Sequence, residues 1–199
     1  MKSGIRIVLG WLSVALLIAL SSACRAAPPA DVHTKVYLLR GLTNVLSPGI
    51  DQLADELQHR NISATVSNHL FWSAMADQAI EDCRSGRVNT VVLVGHSLGA
   101  SAALDIADRM RKAGLRVALI ATLDPVLDAS VPDNVHLLRN FYLSNGFGKP
   151  VAPGQHFHGL LQNVDLNGKT ELGHVFMTTE PAIRSQIMSD ILAAGTRCR

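Results

Sequence analysis

Ser97 is the residue around which chemistry can be assembled. It sits in Gly95-His96-Ser97-Leu98-Gly99, directly after the run Thr90-Val91-Val92-Leu93-Val94 and directly before the small residues Gly99 to Ala103. A short apolar run rich in β-branched residues suits a strand buried on both faces. A serine between such a strand and a helix must stand in a sharp, strained turn. Glycines two residues to either side remove side chains that would clash there. The turn lifts the hydroxyl clear of the sheet edge and places it at a helix N-terminus, where developing negative charge is favoured. It also aims the Leu98 backbone N–H at the position an oxyanion would occupy. The chemistry implied is nucleophilic attack by Ser97. The plainer alternative is a glycine-flanked turn whose serine only caps a helix.

A serine hydroxyl is a poor nucleophile until a base takes its proton. Asp124 lies in Ala121-Thr122-Leu123-Asp124-Pro125, just past a second apolar run, Val117 to Ala121. An acid at the C-terminal end of such a strand reaches the same sheet edge as Ser97. Asp128 and Asp133 are its rivals, and a turn cap before Pro125 is its structural alternative. Eight histidines compete for the role of base. His96 is next to the serine and is expected to point elsewhere. His136 falls inside a strand candidate. His156 and His158 flank Phe157 and would share one strand face, but no clear third ligand accompanies them. We therefore expect no metal site and no cofactor.

The Gly-His-Ser-Leu-Gly form resembles the nucleophile elbow of the α/β-hydrolase family, in the version common among lipases and thioesterases. Leu123-Asp124-Pro125 is similar to the acid site of the pancreatic-type lipases. The family order is serine, acid, histidine. That order sets aside His33, His59 and His69, which precede the elbow. It implies His174, in Leu172-Gly173-His174-Val175 ahead of the last helix, as the base. The resemblance also implies a second oxyanion donor in the loop Arg40-Gly41-Leu42-Thr43, assigned to the Leu42 backbone N–H. Many members carry histidine-glycine where this chain has Arg40-Gly41, but the group required is a backbone N–H. The activity implied is hydrolysis of a carboxylic ester or thioester, with a small molecule or a lipid as substrate. Two other classes stay open: a non-catalytic binding protein on the same fold, and a structural lipoprotein of the cell envelope.

The elements that must position these residues alternate. Strands are expected over 35–40, 62–66, 90–94, 117–121 and 135–142. A helix should begin at Ser47-Pro48 with Ser47 as cap and Ile50, Leu53, Ala54 and Leu57 on its buried stripe. Others should run from Phe71 to Cys83, from Leu98 to Lys112, and over Ile183, Ile187, Met188, Ile191 and Leu192. Gly86, Gly114 and Gly195 are the expected stops. Strand–helix alternation predicts a three-layer α/β domain over 35–199, with a mostly parallel sheet and helices on both faces. Residues 143–173 are expected to be irregular. Leu42, Val45, Leu46, Phe71 and Trp72 are apolar residues near the presumed cleft. With no long cap insertion between strands, the chain resembles small esterases and cutinase-like enzymes.

The composition fits such a domain: 48% of the 199 residues are hydrophobic and 17% charged, enough for a packed core and against disorder. Residues 1–26 read as a signal peptide, with Lys2 and Arg6 before the apolar run Ile7 to Leu20 and small residues before Pro28. An uncleaved anchor and a lipoprotein signal acylated at Cys24 are the alternatives, and either would bring membrane association. Residues 27–34 read as a linker. Loss of the signal removes Lys2, Arg6 and Arg25 and no acid, leaving 15 basic against 16 acidic residues. No basic cluster suggests nucleic acid. The expected location is therefore periplasmic or secreted. Export permits a bridge between Cys83 and Cys198, and two free thiols is the other reading.

Overall fold

The structure, a computed structural model, describes residues 33–42, 47–168 and 173–199. The expected signal segment and most of the linker lie outside the described residues, as do Val45 and Leu46. The elements are β1 (Thr34–Arg40), α1 (Pro48–His59), β2 (Ser63–Asn68), α2 (Trp72–Arg84), β3 (Thr90–His96), α3 (Leu98–Lys112), β4 (Val117–Leu123), β5 (Ser130–Val131), β6 (Val135–Tyr142), β7 (Ala152–Pro153), β8 (Leu160–Asp165) and α4 (Pro181–Ala193). Short 3₁₀ turns occupy His69–Phe71 and Phe176–Thr179.

Six strands form one parallel sheet in the order β2-β1-β3-β4-β6-β8. β3 and β4 are buried along their whole length at its centre, which is why their sequences are nearly all apolar. Alternate residues of each strand feed opposite faces. Tyr37, Leu39, Val91 and Leu93 pack with α2 and α3. Val36, Leu38, Val92 and Val94 pack with α1 and α4. The chain is thus a three-layer α/β domain with helices on both faces of a parallel sheet.

Several expectations shift in detail. β3 runs on through His96, and β4 through Leu123, so Ser97 and Asp124 each follow the last residue of a strand. Gly86 and Gly114 do terminate their helices with positive φ. Leu192 does not join the α4 stripe; it is exposed. The stretch 143–173 is not wholly irregular, because it contains β7 and the edge strand β8. β8 reads Leu160-Leu161-Gln162-Asn163-Val164-Asp165, and its polar residues hide the strand signal. Asn163 uses its amide to bond Val151 N–H and C=O, fastening the preceding loop to the sheet edge.

Cys83 and Cys198 form a disulfide that ties the end of α2 to the C-terminal segment. On the same N-terminal edge of the sheet, the buried Asp82 carboxylate accepts from Lys35 Nζ at 2.8 Å, Tyr37 Oη at 2.7 Å and Arg87 Nη2 at 2.9 Å. Burial alone would raise its pKa. The bonds from Lys35, Tyr37 and Arg87 outweigh that and hold the carboxyl below its ordinary value.

Candidate active site

At the opposite edge of the sheet the chain is strained where the sequence pattern requires it. Ser97 has φ 58° and ψ −123°, left-handed backbone that a non-glycine residue seldom adopts. The flanking glycines explain how the turn closes. A Cβ on Gly95 would lie 2.1 Å from Gly99 O, and one on Gly99 would lie 2.3 Å from Leu39 O. No side chain fits at either place. Ser97 N–H bonds Leu123 O at 2.9 Å, holding the turn against the end of β4. Leu98 is the first residue of α3, so its N–H belongs to the helix-end set that has no partner within the helix.

Asp124 leaves β4 with φ 49° and is fully buried. Its Oδ1 accepts Leu143 N–H at 2.9 Å, and its Oδ2 lies 2.5 Å from His174 Nδ1. A carboxylate only accepts, so Nδ1 carries the hydrogen and Nε2 of neutral His174 is left as an acceptor. Gly148 closes over the acid: a Cβ there would sit 1.8 Å from Asp124 Oδ1. The rivals are engaged elsewhere, Asp128 with Lys149 and Asp133 with Arg111. The structure therefore brings Asp124 and His174 together. It shows no hydrogen bond between Ser97 and His174. In serine hydrolases that contact often tightens only when substrate is bound.

The loop after β1 reaches Ser97 from the other side. A Cβ on Gly41 would come within 3.0 Å of Ser97 Cβ and 3.5 Å of Ser97 Oγ. Gly41 C=O accepts from His69 Nδ1 at 2.9 Å and from Asn68 Nδ2 at 3.3 Å, both at the end of β2. The C=O and N–H of one trans peptide point in opposite directions. The N–H of the Gly41–Leu42 peptide is accordingly turned away from Asn68 and His69, which hold its C=O. Arg40 bonds Asp51 at the start of α1, with Nε 3.1 Å from Oδ2.

Two of these participants hold roles that the sequence did not mark. Nothing in the pattern marks Asn68 or His69, whose work is to hold a peptide rather than to touch a reacting atom. His96 is buried beside His174, their ring centroids 4.7 Å apart. Burial and the neighbouring His174 push its pKa down to about 4. Ser47 stands at the N-cap position of α1 but makes no capping bond; its hydroxyl is engaged by His96 instead. His156 and His158 are exposed, and among the described residues no group of three or more His, Cys, Asp or Glu is arranged to hold a metal.

Parallel strands with helices on both faces, and a strained serine between the central strand and its helix, define an α/β-hydrolase-type fold. The type II thioesterase BorB from the borrelidin biosynthetic cluster superposes with a TM-score of 0.56 at 13% identity, over 87% of this chain and 96% of that one. Two further structures align less closely. RedJ, a thioesterase of prodiginine biosynthesis in Streptomyces coelicolor, has a TM-score of 0.49 at 14% identity, over 92% of this chain and 97% of that one. A proposed hydrolase of the α/β superfamily from Xanthomonas campestris pv. campestris has a TM-score of 0.42 at 13% identity, over 78% of this chain and 98% of that one. No protein-family model and no curated protein matches the sequence. The chain has the α/β-hydrolase fold.

Proposed function

We propose that this protein is an exported serine hydrolase that cleaves carboxylic ester or thioester bonds through an acyl-enzyme. The observation that carries the reading is the Asp124–His174 hydrogen bond at the sheet edge where Ser97 stands strained. His174 Nε2 takes the Ser97 proton as Oγ attacks the acyl carbonyl. Asp124 holds the imidazole in the required tautomer and stabilises its cation. The N–H groups of Leu98 and Leu42 receive the oxyanion. His174 then protonates the leaving alcohol or thiol, and water, activated by the same base, releases the acid and restores Ser97.

Large apolar side chains are exposed on the segments around this edge: Leu42 after β1, Leu70 and Phe71 after β2, Phe147 after β6, and Phe176 beside the base. Phe147 meets the His174 ring edge-on at 6.0 Å. This apolar surround favours an acyl chain over a sugar or a charged group. The Cys83–Cys198 bridge supports an oxidising compartment, in keeping with a signal peptide over residues 1–26. Membrane association would come through Cys24 or an uncleaved N-terminal segment; no described helix is long and apolar enough to cross a membrane.

A fluorophosphonate probe tests the reading directly. The folded wild type should label and Ser97→Ala should not. A folded wild type that fails to label would leave the binding-protein reading in its place. A panel of ester and thioester substrates of increasing acyl length then assigns the bond and the chain.

A further inference from the structure

His96 and Ser47 lie in the interior between the two loops that converge on Ser97. They are 1% and 0% exposed. His96 Nε2 is 2.9 Å from His174 O, and a carbonyl only accepts, so Nε2 carries the hydrogen. The Nδ1 of the neutral ring is then an acceptor, and the Ser47 hydroxyl 2.8 Å away donates to it. Ser47 Oγ in turn accepts Gly41 N–H at 3.3 Å. Three hydrogen bonds thus run in one direction, from the Gly41 amide through Ser47 and the His96 ring to the main-chain carbonyl of His174. Bonds aligned this way polarise one another, and in a buried setting a break leaves its partners unsatisfied.

We propose that His96 and Ser47 are positioning residues for hydrolysis, a buried relay that sets the loop of the oxyanion donor and the loop of the base in one register against Ser97. This rests on the serine-hydrolase reading. Neither end belongs to a ladder of the sheet: Gly41 follows β1, and His174 precedes a 3₁₀ turn. The relay joins them through the one residue, His96, whose backbone is fixed both as the last residue of β3 and as the neighbour of the nucleophile. A second contact works in parallel. Gly49 at the start of α1 donates to Thr178 Oγ1 at 3.2 Å, and a Cβ there would lie 1.7 Å from Thr178 O. The α1 N-terminus and the base loop are therefore packed without a gap, so the relay has little freedom to stretch. A neutral His96 also keeps a second cation away from His174 when the base is protonated, and its pKa of about 4 preserves that state at neutral pH.

The test compares Ser47→Ala, His96→Gln and His96→Ala in the full chain. Gln can keep an N–H near His174 O while losing the Ser47 arm, so it should behave like Ser47→Ala. We expect kcat to fall about tenfold in these two and about a hundredfold in His96→Ala, with KM little changed, the loss associated with small misplacement of catalytic groups. The double variant Ser47→Ala/His96→Gln should be no worse than either single one, because both cut the same arm. Amide hydrogen exchange reads the relay without turnover. Gly41 should lose protection in His96→Ala, although the His96 side chain makes no hydrogen bond to it, and Phe176 and Met177, whose N–H groups bond Gly173 O in the loop of His174, should lose protection in Ser47→Ala. Variants with wild-type kcat and unmoved exchange, or with a lowered Tm alone, would overturn the relay. Wild type that fails to react with a fluorophosphonate would instead remove the hydrolase reading, while the exchange pattern would still decide whether the two loops are coupled.

Discussion

Two buried carboxylates, at opposite edges of one sheet, are treated in opposite ways. Asp82 is held by Lys35, Tyr37 and Arg87 on a stretch of ordinary backbone. Asp124 stands on a residue of positive φ and is held by one main-chain N–H and one imidazole. The first arrangement satisfies a charge with fixed cations and a phenol, which suits cohesion. The second leaves it facing a partner able to gain and lose a proton, which suits chemistry. Ser97 and Asp124 at the second edge both have positive φ, as do two other non-glycine residues among those described, Asn61 before β2 and His156.

The division can be broken by mutation in a definite order. Asp124→Asn should lower turnover by roughly 10⁴-fold, as loss of the orienting acid does in triad enzymes, while urea unfolding midpoints move little. Removing the Cys83–Cys198 bridge with Cys83→Ala and Cys198→Ala should act the other way round. The bridge spans 115 residues, so loop entropy gives a loss of about 4–5 kcal/mol in stability, with turnover of the folded protein unchanged. Asp82→Ala should cost about 3 kcal/mol, since it leaves buried donors without their acceptor, again with unchanged kcat/KM. A large drop in kcat/KM for either stability variant would mean that the two edges are coupled, and the contrast drawn between them would fail.

A last effect separates the edges by pH. His96 has a folded pKa of about 4 against an ordinary 6.5, so between those values the unfolded chain binds a proton that the folded chain does not. Stability is then complete above the ordinary value and declines as pH falls toward the folded one, by about 3 kcal/mol in all. Urea midpoints measured across this range should show the decline in wild type and less of it in His96→Gln. An equal slope in both proteins would assign the loss to other groups.

What was legible in the sequence follows from the range of the interactions. Gly95, Ser97 and Gly99 speak through local geometry, and one short stretch holds the whole pattern. α1 was legible because Ile50, Leu53, Ala54 and Leu57 repeat at the helical period, and α3 because it opens on the small residues after Ser97 and stops at Gly114. β8 was not, since an edge strand needs only one buried face and this one spends Asn163 on a neighbouring loop. Ser47 shows a different limit. Its place before Pro48 reads as a cap, and by position it is one, yet His96, 49 residues on, claims its hydroxyl. His96 was set aside as pointing away from the serine. Which atoms it meets instead depends on the arrival of the 174 loop, a fact of tertiary structure alone. The pairing of Cys83 with Cys198 was equally out of reach, because separation in space cannot be read from separation along the chain.

Asn89 has a bearing on how the protein can be handled. Its N–H donates to His33 O at 3.1 Å and its C=O accepts Cys198 N–H at 2.8 Å, so the first and last described segments meet at one residue on the edge away from Ser97. In a chain cut back to begin at His33, a short flexible peptide could therefore link that residue to the C-terminal segment, with a new start opened at an exposed turn such as the one around Gly114. Such a circular permutant should keep the edge that bears Ser97 unobstructed, and the same geometry favours immobilising the protein through its C-terminal segment with Ser97 facing outward.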